Sequence, residues 1–257
     1  MTTNSSVLPS HTRLDAIKPL IQMCNEDSYS YLEHFEALLA LTNLTSLGEA
    51  EQNSLAANKG VKVVFFLMLS EHDMVRRAAV ELICNMSGHR AVVELFMKRE
   101  YLRALLDYCG SWASDLEEGI DATTSPLPLN SEAYRTARAA AGALASLSTD
   151  VSLARALIEE KALISVIALL GSAKYEYLHR GLVILQNLVE NCPKEIAAAG
   201  EELLGDHYVP GVGCPKLLEA VLTAAISSVK NLSQRDVAMI GILEGIAKQI
   251  AGSLRKL

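Results

Sequence analysis

Four asparagines stand at one place in a recurring phrase: Asn43 in ALLALTNLTS, Asn85 in AVELICNMSG, Asn187 in GLVILQNLVE and Asn231 in ISSVKNLSQR. In the remaining copy, GALASLSTDV, Ser146 takes that place. A carboxamide both donates and accepts hydrogen bonds, so its chemistry is recognition of polar groups rather than bond making. It can tie down backbone at a helix end, where an unpaired buried group costs roughly 1 to 3 kcal/mol, or it can meet the backbone of a bound extended segment. Eight residues upstream of each position, two turns along one helical face, lie Phe35, Arg77, Arg138, His179 and Thr223. Arg77, Arg138 and His179 are consecutive in this series, and Arg76 and Arg180 adjoin them. Such a basic stripe beside a row of amides would suit a carboxylate-bearing segment of a partner, although arginines that merely face water are common on helices.

Residues of other types offer little chemistry. The six histidines are scattered, and neither a zincin pairing, a G-x-S-x-G elbow nor a phosphate-binding glycine loop occurs. The stretch DHYVPGVGCP, residues 206 to 215, sets His207 close to Cys214 in sequence, and an enzyme would have to rest on that pair. Closeness in sequence does not make a nucleophile and its base, and a connecting loop is the expected reading. The five cysteines stand singly at 24, 84, 109, 192 and 214, which supports neither a disulfide framework nor a zinc site. Cys24 and Cys84 fall on helix faces, where thiols behave as small apolar groups. No cofactor or metal is implied. N-x-S/T sequons begin at Asn4, Asn43, Asn85 and Asn231, and three of them are the repeat asparagines themselves.

The elements that position the amides follow from spacing. Asn85 comes 42 residues after Asn43, Asn187 41 after Ser146, and Asn231 44 after Asn187, all within the roughly 40 to 47 residue period of armadillo and HEAT repeats. The interval from Asn85 to Ser146 is 61. The excess falls in CGSWASDLEEGIDATTSPLPLNS, residues 109 to 131, with two prolines and four acids but no base; it reads as an exposed acidic loop. In the second unit VKVVFFLMLS after Gly60 forms one helix, SEHD breaks it, and MVRRAAVELICNMSG forms the next. The fourth unit repeats this, with the same 25 residues from Ala162 to Asn187 as from Gly60 to Asn85. Ala79, Leu82, Ile83 and Met86, and likewise Leu182, Leu185 and Leu188, form apolar stripes that one unit cannot bury alone.

The predicted fold is therefore all-α, an armadillo/HEAT-like right-handed superhelical solenoid of about five repeats. Residues 1–12 are expected to be a flexible tail and 13–257 the repeat domain, with the acidic insertion at about 109–131. Residues 235–257 read as a terminal capping helix with Ile246, Ile250 and Leu254 on its stripe. Around Ile17, Leu20 and Ile21 the first unit is expected to leave apolar surface uncovered, which predicts self-association.

Composition agrees. Of the 257 residues 50% are hydrophobic and only 5% aromatic, with a mean hydropathy of +0.22, as suits stacked helices with a large core. The net charge of −7 argues against nucleic acid as a partner. No apolar run reaches the roughly 18 residues of a membrane span, and the N-terminus lacks the apolar segment of a signal peptide. A soluble, cytoplasmic protein is expected.

Specific phrases then carry a resemblance. HFEALLALTNLTS at 34–46, RRAAVELICNM at 76–86, ARAAAGALASLST at 137–149 and LHRGLVILQNLVE at 178–190 resemble, in order and interval, the C-terminal part of the UCS domain in the UCS family of myosin-directed chaperones. The resemblance covers roughly residues 30 to 190. It implies a non-enzymatic chaperone that binds the myosin motor domain and assists its folding or assembly with Hsp70 and Hsp90, holding the client along the concave groove. The matching groove positions are Asn43, Asn85 and Asn187 with Phe35, Arg77, His179 and Arg180; the repeat pattern adds Arg138 and Asn231. The animal form of the family docks Hsp90 through an N-terminal TPR module, and no 34-residue TPR period occurs here. The alternative is an armadillo-type adaptor whose client is not myosin.

Overall fold

A computed structural model describes residues 8–117, 131–172, 174–232 and 237–257. Among these residues there are helices and turns but no strand. Helices α1 (Ser10–Asn25) and α2 (Tyr31–Thr45) make the first unit; α3 (Glu49–Ala57), α4 (Gly60–Met68) and α5 (Asp73–Met86) the second; α6 (Arg90–Phe96), α7 (Arg99–Glu117) and α8 (Glu132–Leu147) the third. The fourth holds α9 (Val151–Glu159), α10 (Ala162–Leu170) and α11 (Tyr175–Asn191). The last holds α12 (Pro193–Ala198), α13 (Glu201–Leu204), a 3₁₀ turn at Gly205–His207, α14 (Cys214–Leu232) and α15 (Val237–Leu254).

Local chemistry sets these boundaries. Ser30 and Glu33 form a reciprocal capping box at the start of α2, Ser131 accepts from the Tyr134 N–H to open α8, and Asp150 accepts from Ser152 and Leu153 N–H to open α9. Pro193 occupies the first turn of α12, where its missing N–H costs nothing. The tight turns between α3 and α4 and between α9 and α10 each place a lysine, Lys59 and Lys161, in the left-handed region at φ 61° and 64°. Equivalent residues thus carry equivalent strain in the two units, a structural echo of the sequence period.

Each unit packs on the next through its last helix. α2 lies on α5, α5 on α8, α8 on α11 and α11 on α15, one continuous ladder backed by α4, α7, α10 and α14. Ala79, Leu82, Ile83, Met86, Leu182, Leu185 and Leu188 are all fully buried in this stack. The armadillo-like solenoid expected from the period is the observed architecture.

Three expectations need correction. Helix α7 continues to Glu117, eight residues past the point where prolines and acids downstream had set the start of a loop; 118–130 lie outside the described residues. α1 begins at Ser10, inside the segment 1–12 read as a tail. Ile17 and Ile21 are buried and Leu20 half-buried, because α1 packs against α2, α3 and α4. The expected apolar edge there does not exist, and the basis for predicting self-association goes with it.

The fifth copy of the repeat phrase is also displaced. α14, which carries Asn231, packs on α10, α12 and α15, while α15 is the helix that extends the ladder on α11. The segment between Asn191 and Cys214 holds α12, α13 and the 3₁₀ turn, so the helix 44 residues after α11's asparagine arrives one layer behind the ladder. The helix read as a terminal cap is the inner helix of the last unit, with Leu243, Ile250 and Leu254 buried and Ile246 half-buried.

Candidate functional site: the ladder face

The amides on the ladder do different work from one unit to the next. Asn85 Nδ2 donates to the Thr42 carbonyl at 3.1 Å, and Asn187 Nδ2 donates to the Ala145 carbonyl at 3.0 Å and to Ser148 Oγ at 2.9 Å. Both therefore hold the end of the preceding unit's inner helix. Asn191 adds a bond to the Ser148 carbonyl at 3.0 Å, and Gln52 reaches the Thr45 and Asn85 carbonyls. This is the backbone-tying role, acting between repeats. Asn43, in the first unit, is exposed and its amide makes no hydrogen bond among the described residues. The Asn231 side chain lies outside the described residues.

The basic stripe is largely neutralised from within. Arg77 is 2% exposed; it bonds Glu81 at 2.7 Å and Glu132, and its guanidinium lies 5.2 Å from the centre of the half-buried Phe35 ring. A charge so enclosed cannot greet a partner's carboxylate, which corrects the role expected for Arg77. Arg138 pairs with Glu176 at 3.4 Å, and Arg76 with Asp73. Glu81 was within reach of sequence reasoning, since it stands four residues after Arg77 on the same helix. Glu132 was not, because it lies 55 residues away and only folding brings it to Arg77.

Arg180 differs. Its Nη1 is buried without a hydrogen-bond partner, and no ion pair of its own occurs among the described residues. It belongs to α11 and passes over Gly142 of α8 toward Cys84 of α5: a Cβ built on Gly142 would sit 2.8 Å from Cys84 Sγ and 3.3 Å from Arg180 Nε. The glycine is what lets the side chain lie across the ladder, and sequence reasoning missed it. Partial burial, with the Arg180 charge next to it, holds the His179 ring below its ordinary value. Under this patch Tyr177 is fully buried and donates its hydroxyl to the Tyr134 carbonyl at 2.7 Å, the two rings meeting edge to face.

The enzyme reading finds no support in the loop that suggested it. Cys214 is buried and burial pushes its thiol up to about 11, the reverse of activation, whereas His207 is exposed. Among the described residues no three His, Cys, Asp or Glu side chains come together as metal ligands, and no helix is long and apolar enough to cross a membrane.

Comparison with known proteins places this geometry. No family model matches the chain. It is 29% identical over 194 residues to protein unc-45 homolog B of Xenopus tropicalis, and 26% identical over 187 residues to the protein of that name in Danio rerio. In sequence the chain is similar to Unc-45. The aligned parts make up 74% and 71% of this chain but only 19% and 18% of those relatives, so the likeness is to a fraction of an Unc-45 protein. UNC-45 from Drosophila melanogaster superposes with a TM-score of 0.68 at 24% identity, covering 99% of this chain and 28% of that one. A designed armadillo repeat protein in complex with the peptide (KR)4 superposes with a TM-score of 0.59 at 17% identity, covering 92% and 82%. These two likenesses are of fold. The UCS-family resemblance expected from the repeat phrases, of which Unc-45 is a form, thus holds in sequence, and the architecture agrees with it.

Proposed function

We propose that this chain is a non-enzymatic client-holding module, similar in role to the UCS region, that binds the myosin motor domain and assists its folding or assembly alongside Hsp70 and Hsp90 in the cytoplasm. The observation that carries the proposal is the sequence likeness to unc-45 homolog B over about three quarters of the chain, on a chain whose five inner helices form an unbroken ladder. Solenoids of this kind present an extended inner surface, and here Asn43, Arg138, His179 and Arg180 would meet a client there from three helices, α2, α8 and α11, one in each of three units. Asn85, Asn187, Phe35 and Arg77 shape the groove by holding its walls. Asn231, behind the ladder, has no part in this proposal.

Heat-induced aggregation of a myosin motor domain, followed by light scattering with and without this chain, tests the proposal. Suppression at stoichiometric amounts is the expected result. No suppression, together with stable capture of a different folded partner, would replace the myosin client with an adaptor's partner and leave the groove in place.

A further inference from the structure

We propose that Arg180 is a carboxylate-recognition point in the floor of the groove, taking the side chain of one aspartate or glutamate of an extended client segment; this rests on the reading above that the ladder face holds such a segment. The arginines of the stripe are unequally paired. Every other arginine of the stripe has its own acid: Arg76 has Asp73, Arg77 has Glu81 and Glu132, and Arg138 has Glu176. Arg180 had the natural candidate in Glu176, four residues earlier on its own helix, but that carboxylate is turned to Arg138. The guanidinium is left with a buried, unpartnered N–H, a state native proteins rarely keep without a use.

The surroundings select the ligand. Gly142 removes the side chain that would fill the space beside the guanidinium, and the half-buried Cys84 thiol forms the far wall. Arg138, paired with Glu176, adds positive charge on the same side, His179 stays a neutral ring because its pKa is lowered, and Glu81 and Glu176 bound the patch. A single negative charge fits between them; a phosphate dianion would face two carboxylates. A neutral carbonyl would satisfy the hydrogen bond but not the charge, so a glutamate should be preferred over a glutamine in the same segment.

Fluorescence anisotropy at low salt with capped, labelled peptides of alternating serine and glutamate, or serine and glutamine, measures that preference. The native chain is expected to bind the glutamate peptide roughly tenfold or more tightly, and Arg180→Gln to abolish the preference. Arg155→Gln, which removes the same charge from a pair with Glu195 on the outer helix α9, should keep it. Arg180→Gln should also leave the melting temperature unchanged or raised, which a merely structural arginine would not do. Equal affinity for the two peptides, including no measurable binding of either, overturns the proposal, as does a preference that survives Arg180→Gln. The motor-domain assay with the same variants separates the two claims. Protection without a glutamate preference sinks the carboxylate point alone; a glutamate preference without protection sinks only the myosin client.

Discussion

At the scale of single residues, burial decides what a charge can do. Arg77 looks from its position like a ligand contact, yet its two carboxylates and the Phe35 ring make it a strut that ties α5 to α8 and α2. Arg77→Met should therefore destabilise the fold by roughly 2 to 4 kcal/mol, because it leaves Glu81 and Glu132 near each other with only the longer contacts to Arg135, at 3.9 and 4.0 Å; those contacts and partial exposure to water favour the lower figure. Chemical denaturation checks this, and unchanged stability would mean that the pairs contribute nothing. His179 makes a second case. Its folded pKa lies below the unfolded value of about 6.5, first through burial and then through Arg180. The unfolded chain takes up that proton at higher pH than the folded one, so stability present above the unfolded pKa is lost as pH falls below it. The denaturation midpoint should drop less in His179→Gln than in the native chain between neutral pH and about 5; identical drops would remove His179 from the account.

At the scale of elements, the asparagines become joints between repeats. Asn187 has two bonds to the end of α8 and is half-buried, Asn85 has one to the end of α2, and Asn43 has none. Substitution by alanine should follow that order, costing about 1 to 2 kcal/mol at Asn187, about 0.5 to 1 at Asn85 and close to nothing at Asn43. Equal losses at all three would argue that the repeat position matters for helix propensity and not for the joint. The strained turns supply another measure: Lys161→Gly should stabilise by about 0.5 to 1 kcal/mol, since glycine adopts the left-handed backbone without the steric cost a lysine carries. A loss on thermal or urea denaturation would show that the lysine stem packs more than the backbone strains. Much of this level was legible in the sequence. The period, the apolar stripes and the equivalence of Gly60 with Ala162 follow from local spacing, which a helix obeys turn by turn. What could not be read was the direction of each amide, inward to a client or across to the neighbouring unit, because the acceptor carbonyls of Thr42 and Ala145 lie 43 and 42 residues away.

At the scale of the molecule, the error over Asn231 is instructive. A count of residues fixes a period only while each unit spends its residues in the same way, and the stretch from Cys192 to Gly213 spends them on short helices and a turn. The next long helix then fills the back layer and α15 completes the ladder. Arg180 shows the same limit in another form: its isolation depends on Gly142 and Cys84, from two other helices, and on Glu176 having turned away, none of which a single stretch of sequence records. The packing also sets how the molecule should come apart. Each inner helix packs on that of the adjacent unit, as in other solenoids where stability is a sum of neighbour terms. Ile250 on α15 is 1% exposed, and Ile250→Ala should cost about 2 to 4 kcal/mol. If the sum is one of neighbours, hydrogen exchange should quicken in α14, α15 and the facing turns of α11 while α1 to α5 keep their protection. A uniform rise in exchange along the chain would instead show that the five units unfold as one, and that strain at one end of the groove is felt at the other.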